Sequence, residues 1–237
     1  AARFLTTFPE LDHYGCRGDG NYVGPLSDDL ATEKIRWPQR TAASDRKWRR
    51  IFAYIRPDTP NAYAILGALS YLSQSDSTVL CFTPGPNTET IARLQTENMP
   101  FTTRPADIDL LADGADLCIS YAAEKTVANF LLAGVPQILS PLTTEAYLAA
   151  RRVEELGAGV VLRGTQTRES VIDVLHRVLR EPRYRDRASK FARRYADFDR
   201  QTTLVGILDR IEQVCQNSAT ASLNIEIGRN KLEAKAK

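Results

Sequence analysis

Residues 116–162 read DLCISYAAEKTVANFLLAGVPQILSPLTTEAYLAARRVEELGAGVVL. The stretch contains three short apolar runs, Leu117–Ser120, Gln137–Leu139 and Val160–Leu162. Segments of helical periodicity separate these runs, and glycines interrupt them at residues 134, 157 and 159. Short apolar runs that alternate with helices are typical of a parallel sheet covered on both faces. The stretch therefore predicts an α/β fold with a Rossmann-like parallel sheet.

Two loops of this stretch lie where ligands of such sheets bind. Open parallel sheets bind ligands at the carboxyl ends of their strands, where loops meet helix N-termini. The loops Tyr121–Thr126 and Pro141–Glu145 each follow a predicted strand and precede a predicted helix. We therefore expect the ligand site of this domain to include both loops.

Upstream, the same alternation begins at about residue 51. Apolar runs predict three further strands, at Ile51–Ile55, Thr78–Phe82 and Phe101–Thr103. A helix between the first two is predicted by apolar residues at helical spacing, namely Ala62, Ile65, Leu66, Leu69 and Leu72. A second helix is predicted from the cap Asn87 through Thr96, and a short one over Asp107–Ala112.

Downstream of Leu162, the chain is predicted to form trailing helices. Three apolar stripes follow one another: Val171, Val174, Leu175 and Val178; Tyr184, Ala188, Phe191, Tyr195 and Phe198; and Leu204, Ile207, Leu208, Ile211 and Val214. The apolar pattern fades after about Gln216, so residues 217–237 are expected to be a mobile polar tail.

Composition excludes several classes of protein. The chain of 237 residues is 43% hydrophobic and 25% charged with a net charge of +2, which is ordinary for a globular domain and gives no sign of a nucleic-acid partner. The four cysteines form no CxxC pair and there are two histidines, so we expect no metal site and a reducing, cytoplasmic location. No apolar run approaches the roughly 20 residues that span a bilayer.

The frame of residues 116–162 resembles the nucleotide-sugar-binding C-terminal domain of two-domain (GT-B) glycosyltransferases, especially the UDP-glycosyltransferase and macrolide-glycosyltransferase group. That family typically has His-Gly-Gly-x-Gly/Asn-Thr, an aliphatic helix ending Gly-Val-Pro, a loop with Asp/Glu-Gln, and a Leu-Gly-x-Gly turn. The matching segments here are YAAEKT at 121–126, AGVP at 133–136, PLTTEA at 141–146 and LGAG at 156–159. The frame has no insertion, but its donor motif is degenerate at the ligand positions.

Two N-terminal runs are similar to the interdomain connector of the same family, PELD at 9–12 and YVGP at 22–25. Residues 1–50 are therefore expected to be that connector or an N-terminal extension, and residues 51–216 the donor-binding domain. The resemblance implies an acceptor-binding N-terminal domain as the partner. The absence of an initiator Met is in keeping with a fragment of a longer protein.

In the family, the loop at 121–126 binds the diphosphate of the donor through glycines and a histidine. A helix N-terminus offers unpaired N–H groups and a partial positive charge, which suit phosphate. The resemblance places the candidate phosphate-binding residues in this loop, at Tyr121, Ala122, Ala123, Lys125 and Thr126. The remaining residue of the loop, a glutamate at 124, is expected to compete with phosphate for the helix start. A capped helix start without a ligand is the simpler alternative.

The resemblance implies three further contacts with a UDP- or TDP-type nucleotide sugar. Glu145 matches the acid that accepts hydrogen bonds from sugar hydroxyls, whereas Ala146 and Ala149 have lost the amides that follow it. Arg104 is placed to stack on the base, and Arg56 to reach phosphate. Each also has a plain alternative, a first-turn helix acid for Glu145 and surface arginines for the other two.

The arginine-rich run from Arg177 to Arg200 retains its apolar stripe and is interrupted by acids. We interpret it as a solvated helix face, in preference to a nucleic-acid or membrane patch.

The leading hypothesis is the donor half of a glycosyltransferase that transfers a hexose from a nucleotide sugar to an acceptor hydroxyl, without a further cofactor. The family's catalytic base is a histidine of the N-terminal domain, and neither His13 nor His176 is a credible substitute, so the chain alone is predicted to be inactive. The alternatives are a non-catalytic binding or scaffold protein that has lost the donor site, and a nucleotide-sugar epimerase. A dehydrogenase is disfavoured because no GxGxxG follows the first strand.

Overall fold

Six parallel strands form the sheet that the sequence predicts. A computed structural model describes residues 3–18, 20–26, 35–37, 48–56, 59–84, 88–104 and 106–216. The strands are β1 (Arg49–Tyr54), β2 (Ser77–Phe82), β3 (Phe101–Thr102), β4 (Leu117–Ser120), β5 (Gln137–Leu139) and β6 (Gly159–Val161). The strand order is β3-β2-β1-β4-β5-β6 and every pair is parallel. The fold is therefore a Rossmann-like α/β sheet.

Seven helices connect or follow these strands. They are α1 (Ala62–Ser73), α2 (Thr88–Leu94), α3 (Ile108–Ala112), α4 (Glu124–Leu132), α5 (Thr144–Glu155), α6 (Arg168–Arg180) and α7 (Pro182–Arg194). Residues 200–216 form a further helix, which we call α8. None of the helices in these described ranges is both long and apolar enough to cross a membrane.

The predicted bounds of the strands and of the second and third helices lie within two residues of the observed ones. The second trailing stripe was predicted to reach Phe198, which is wrong, because α7 ends at Arg194. The predicted bounds of β4 and β5 are confirmed, and β1, β2, β3 and β6 are shifted or shortened at their ends. The second helix was predicted to reach Thr96, which is wrong, because α2 ends at Leu94. The backbone of Thr96 instead exchanges hydrogen bonds of 3.2 and 3.1 Å with Met99. The predicted cap Asn87 and the predicted tail at 217–237 lie outside the described residues.

The chain divides into two compact units that do not follow sequence order. The larger, which we call the sheet unit, comprises Glu10–Gly15 and Ser27–Ala196. The smaller, the terminal unit, comprises Ala1–Pro9, Cys16–Leu26 and Asp197–Lys237. The domain boundaries predicted at residues 50 and 216 stay predictions.

Helices cover both faces of the sheet, as the short apolar strands require. On one face, Ile51, Val79 and Ile119 join a core with the buried sides of α1 and α6. On the other face, Phe52 stacks on Phe130 of α4 at 5.3 Å between ring centroids, beside α3. The predicted apolar stripes of α1, α6 and α7 are largely buried. In α8 only Ile207 is buried, and Leu204, Leu208 and Ile211 are 38–51% exposed.

The terminal unit is held by contacts between its own segments. Leu5 and Tyr22 form a parallel bridge, and the rings of Phe8 and Phe198 pack edge to face at 5.1 Å. Gly24 has a φ of +72°, and a Cβ there would lie 2.5 Å from the Phe198 ring.

Asp116 ties the start of β4 to β1 and to α7. Its carboxylate accepts from the Arg50 N–H at 2.9 Å and forms an ion pair of 3.2 Å with Arg185, and its own N–H donates to the Arg50 carbonyl at 2.8 Å. Arg185 also donates to the carbonyls of Ala115 and Gly134. One arginine of the basic run therefore supports the sheet.

Two glycines of the matching segments, Gly134 and Gly159, lie too close to a neighbouring element to carry a side chain. Gly134 has a φ of +69°, and a Cβ there would lie 3.3 Å from the Ser189 backbone of α7. At Gly159 a Cβ would lie 2.5 Å from the Gln137 carbonyl oxygen of β5. A side chain at either position would separate elements that the sheet needs in contact.

We expect Gly159→Ala to lower the free energy of unfolding by about 1–3 kcal/mol, because the new methyl group must displace the β5 backbone. The matched control is Gly67→Ala in α1, where the added methyl group meets only the flexible side chain of Arg168. In a helix interior this change is expected to stabilise by up to about 1 kcal/mol. Urea unfolding measures both, and a Gly159→Ala protein as stable as the wild type would contradict the close approach of β5 and β6.

Two buried thiols make stability depend on pH. Burial raises the pKa of Cys81 and, against a hydrogen bond with Ser120, that of Cys118. The unfolded chain loses these protons near pH 8.5 while the folded chain keeps them. The free energy of unfolding should therefore fall as the pH rises above about 8.5, by up to about 1.4 kcal/mol per pH unit for each thiol.

Cys81→Ala should make this decline shallower, since one of the two groups is gone. Cys16→Ala should leave it unchanged, because Cys16 is exposed. Chemical unfolding between pH 8 and pH 10 tests the expectation, and an equal effect of the two substitutions would argue against the buried thiols as the cause.

Candidate functional site

A cavity lies at the point where the sheet reverses its strand order. β1 and β4 are neighbours, but the chain leaves them toward opposite sides of the sheet, so a crevice opens at their carboxyl ends. The cavity there has a volume of about 250 Å³. Its lining residues are His13, Arg56, Tyr121, Ala122, Ala123, Glu124, Leu142, Thr143, Glu145, Ala146 and Ala149. We call it the switch-point cavity.

The structure brings five of the eight predicted site residues together in this cavity: Arg56, Tyr121, Ala122, Ala123 and Glu145. Lys125 and Thr126 belong to the first turn of α4 but do not line it, since Lys125 is exposed and Thr126 is buried. Arg104 lies elsewhere, in a cavity of about 830 Å³ beside β3. The predicted loops at 121–126 and 141–145 therefore meet, and the predicted base contact does not join them.

Ala122 shapes the loop that follows β4. It is the one non-glycine residue with a positive φ, +66°, among the described residues, and it is 2% exposed. An L-residue in this left-handed region costs about 1–2 kcal/mol relative to the ordinary conformations. Its N–H donates to the Ser120 hydroxyl at 3.2 Å. The loop thus adopts a backbone conformation that suits glycine, although the residue is alanine.

The start of α4 has unused hydrogen-bond donors. Ala123 occupies the N-cap position in an extended conformation, with no side chain to cap the helix. Among the hydrogen bonds of the described residues, none uses the N–H groups of residues 123–126. The start of α5 differs, because the Thr143 hydroxyl accepts from the Ala146 N–H at 3.1 Å. The first turn of α4 therefore presents donors and a partial positive charge to an anion.

The charged side chains around the cavity have mixed signs. Arg56 and His13 can supply positive charge, while Glu124 begins α4 and Glu145 lies in the first turn of α5. The two carboxylates are stabilised by the helix dipoles, so they favour the same positions as a bound anion. Within the described part of the chain, no three metal-binding side chains come together.

Tyr121 is committed to a contact inside the protein. Its hydroxyl donates to the Tyr54 hydroxyl at 2.9 Å, and the two rings pack edge to face at 4.6 Å between centroids. Burial raises the pKa of Tyr54. The side chain that stands where the family has histidine thus supports the wall of the cavity.

His13 is a cavity residue that the sequence reasoning did not select. Its segment is held by Glu10, whose carboxylate pairs with Arg194 at 3.0 Å and accepts from the Tyr195 hydroxyl at 2.5 Å. The Glu10 carbonyl also accepts from Arg152 at 3.0 Å. These contacts span more than a hundred residues of sequence, and the PELD run was the only local signal that pointed to this segment.

A protein-family model, described as the C-terminal domain of erythromycin biosynthesis protein CIII-like proteins, matches residues 87–210, just over half of the chain. Among curated proteins, ugt-50 of Caenorhabditis elegans, which is named after UDP-glucuronosyltransferases, is 36% identical over 69 residues. That match covers 29% of this chain and 13% of the relative.

Solved glycosyltransferase structures share the fold. The glycosyltransferase of kitacinnamycin aligns with a TM-score of 0.65 at 13% identity, over 87% of this chain and 54% of that one. Glycosyltransferase VinC, solved in complex with DTDP, aligns with a TM-score of 0.59 at 18% identity, over 81% of this chain and 50% of that one. The chain thus spans about half the length of these relatives.

The fold and the site therefore define the C-terminal domain of a GT-B glycosyltransferase. The chain belongs to the erythromycin biosynthesis protein CIII-like family through that domain. The resemblance found in the sequence is confirmed at the level of this domain.

Ala122 yields a test of the loop conformation. Ala122→Val should lower the free energy of unfolding by about 2–4 kcal/mol, because a β-branched residue is strained at positive φ and the site is buried. Ala123→Val is the matched control, since φ −61° and ψ 128° suit valine. Equal effects on thermal or urea unfolding would show that the left-handed conformation of residue 122 is absent.

Proposed function

We propose that the switch-point cavity binds the diphosphate and part of the sugar of a nucleotide sugar, and that the chain is the donor half of a hexosyltransferase. The observation that carries the proposal is the start of α4, where four adjacent N–H groups have no partner among the described residues. The first two belong to Ala123 and Glu124, which line the same cavity as Arg56, at the reversal point where open α/β sheets bind ligands.

The shape of the loop supports this assignment. A positive φ at a non-glycine residue costs free energy and is concentrated at functional sites. At Ala122 it keeps the turn that glycine would give, so the backbone donors can approach an anion even though the family's glycines are absent. The DTDP of the VinC complex is a ligand of the kind we propose.

Cations for the diphosphate come from positions other than the family's histidine. The Tyr121 hydroxyl is hydrogen-bonded to Tyr54, whereas Arg56 and His13 line the cavity. We propose that these two side chains offset Glu124, and that Glu145 accepts hydrogen bonds from sugar hydroxyls. The cavity lining does not include Lys125, Thr126 or Arg104. We propose that Thr126 contributes only its backbone N–H to diphosphate binding.

The cavity is small for a complete donor. Ligand pockets usually begin at about 300 Å³, and this one has about 250 Å³. We propose that an N-terminal acceptor-binding domain completes the site and supplies the catalytic base, so that the chain alone does not transfer sugar. The donor is of UDP or TDP type and no other cofactor takes part. The four thiols are in keeping with a cytoplasmic enzyme.

One observation favours a second function. Two carboxylates, Glu124 and Glu145, line a cavity that is proposed to hold a diphosphate. A non-catalytic binding or scaffold protein that kept the fold and lost the donor site would have the same arrangement. The titration below separates the two.

Isothermal titration of the chain with UDP, TDP and GDP should detect binding of one of them at micromolar to millimolar Kd, about −8 to −4 kcal/mol. Glu124→Gln should tighten binding by about 5- to 10-fold, because it removes a negative charge next to the phosphates. Arg56→Gln and His13→Gln should each weaken it by a similar factor. Lys125→Gln, which alters the adjacent exposed position, is the matched control and should change the affinity least.

If neither the wild type nor Glu124→Gln binds any of the three nucleotides, the donor-site proposal is contradicted and the scaffold function remains. Binding that appears only in Glu124→Gln would mean that the backbone of the site can bind a nucleotide and that the Glu124 carboxylate prevents this in the wild type. Binding that responds to Lys125→Gln as strongly as to Arg56→Gln would place the nucleotide outside the switch-point cavity.

A further inference from the structure

A second cavity lies beside β6, the edge strand of the sheet, and has a volume of about 610 Å³. Four arginines line it: Arg163 follows β6, Arg177 belongs to α6, and Arg183 and Arg187 belong to α7. We call it the arginine cavity. The two cavities lie at opposite ends of α5. The switch-point cavity contacts the start of this helix, and the arginine cavity includes Glu154 and Gly157 at its end. A helix of 12 residues is roughly 18 Å long, so the two cavities are separate.

The charges of the arginine cavity are not balanced. Arg163 pairs with Glu154, and Arg183 pairs with Glu181 at 2.7 Å. Neither the Arg177 nor the Arg187 guanidinium makes an ion pair or hydrogen bond with any described residue. The acids nearest to them in sequence, Asp173 and Asp186, do not line the cavity. Arg177 and Arg187 are both exposed, and they line a cavity that contains two further arginines and one carboxylate, that of Glu154. Like-charge repulsion opposes such an excess of positive charge.

The floor of the cavity is partly apolar. It is formed by Val160, Leu162, Val174 and the ring of Tyr184, over which the Arg183 guanidinium lies at 4.8 Å. The volume is within the range of about 300–1,000 Å³ that small-molecule sites have. Planar guanidinium groups bind carboxylate and phosphate in a bidentate manner. An apolar floor below unpaired guanidinium groups suits an organic ligand that carries more than one anionic group.

The free edge of β6 could in principle pair with an added peptide strand, so its backbone groups decide whether a peptide is a suitable ligand. Ala158 and Leu162 bond to β5, so the backbone groups of Gly159 and Val161 point away from the sheet. The Val161 N–H is already taken by the Glu154 carboxylate at 3.2 Å. Glu154 is fixed there: burial would raise its pKa, but the hydrogen bonds from Arg163 and Val161 lower it overall. An added peptide strand would lack that donor, so the edge is poorly suited to strand addition.

We propose that the arginine cavity is a second binding site, separate from the donor site, for a small organic dianion with two carboxylates or a phosphate on a partly apolar body. Arg177 and Arg187 are its anionic-group contacts, and Tyr184 with Val174 packs against the body of the ligand. The site does not depend on the proposed donor binding, since the two cavities share no lining residue.

The test is an NMR titration of the chain with isophthalate, phenyl phosphate and benzoate at constant ionic strength and near-neutral pH. The wild type should bind a dianion with a Kd near or below about 1 mM, and benzoate at least about tenfold more weakly because it carries one charge. Isophthalate and phenyl phosphate distinguish a carboxylate ligand from a phosphate ligand.

The double variant Arg177→Gln/Arg187→Gln should weaken dianion binding by at least about tenfold. The matched control is Arg180→Gln/Arg193→Gln, which removes the same charge from the same two helices at exposed positions outside the cavity. It should bind as the wild type does, and circular dichroism shows whether both proteins are folded. A second readout is thermal unfolding at low salt, in which the first variant should have the higher midpoint relative to the control.

Three results would overturn the proposal. The first is no saturable binding of either dianion to the wild type. The second is equal weakening in both double variants, which would mean general surface charge. The third is binding of an acidic peptide in place of the small dianions, which would mean a macromolecular partner.

Discussion

The pairing of β1 with β4 is the contact on which the rest of the molecule depends. It joins strands that are more than sixty residues apart, and Asp116 secures it by bonding to Arg50 and to Arg185 of α7. Because the chain leaves these two strands toward opposite sides, a crevice must open at their carboxyl ends. Arg56, the loop at 121–123 and the start of α4 are brought to this crevice by the topology alone.

At the candidate site, the main chain rather than the side chains supplies the features that suit an anion. The left-handed φ of Ala122 and the uncapped start of α4 are properties of the main chain, and they persist where the family's glycines and histidine are replaced. Tyr121, which stands where the family has histidine, bonds to Tyr54, and Arg56 and His13 line the cavity. Replacement of the motif's side chains therefore leaves main-chain N–H donors at the start of α4.

The parts of the structure that follow from local signals could be predicted. The strands Leu117–Ser120 and Gln137–Leu139 are short apolar runs, and the short helix predicted over Asp107–Ala112 is capped by the Asp107 side chain. The end of α2 was missed because the Thr96–Met99 backbone bridge has no residue-type signature.

The composition of the cavities could not be predicted, since it depends on contacts distant in sequence. His13 reaches the switch-point cavity only because Glu10 is held by Arg152, Arg194 and Tyr195. Arg104 was placed near the base from its neighbours in sequence, yet β2 lies between its strand and β1. The arginine run was interpreted as a solvated face, and Arg177, Arg183 and Arg187 are exposed, but its periodicity gave no sign that these three line one cavity with Arg163.

The central claim is that the backbone at the start of α4 binds phosphate. The most direct measurement is an amide ¹⁵N NMR titration of the chain with UDP and TDP. We expect saturable chemical-shift changes at the N–H groups of residues 123–126, with the same Kd at each of them. These changes should be larger than those at the capped start of α5. Saturable shifts confined to other parts of the molecule, with residues 123–126 unmoved, would contradict this claim.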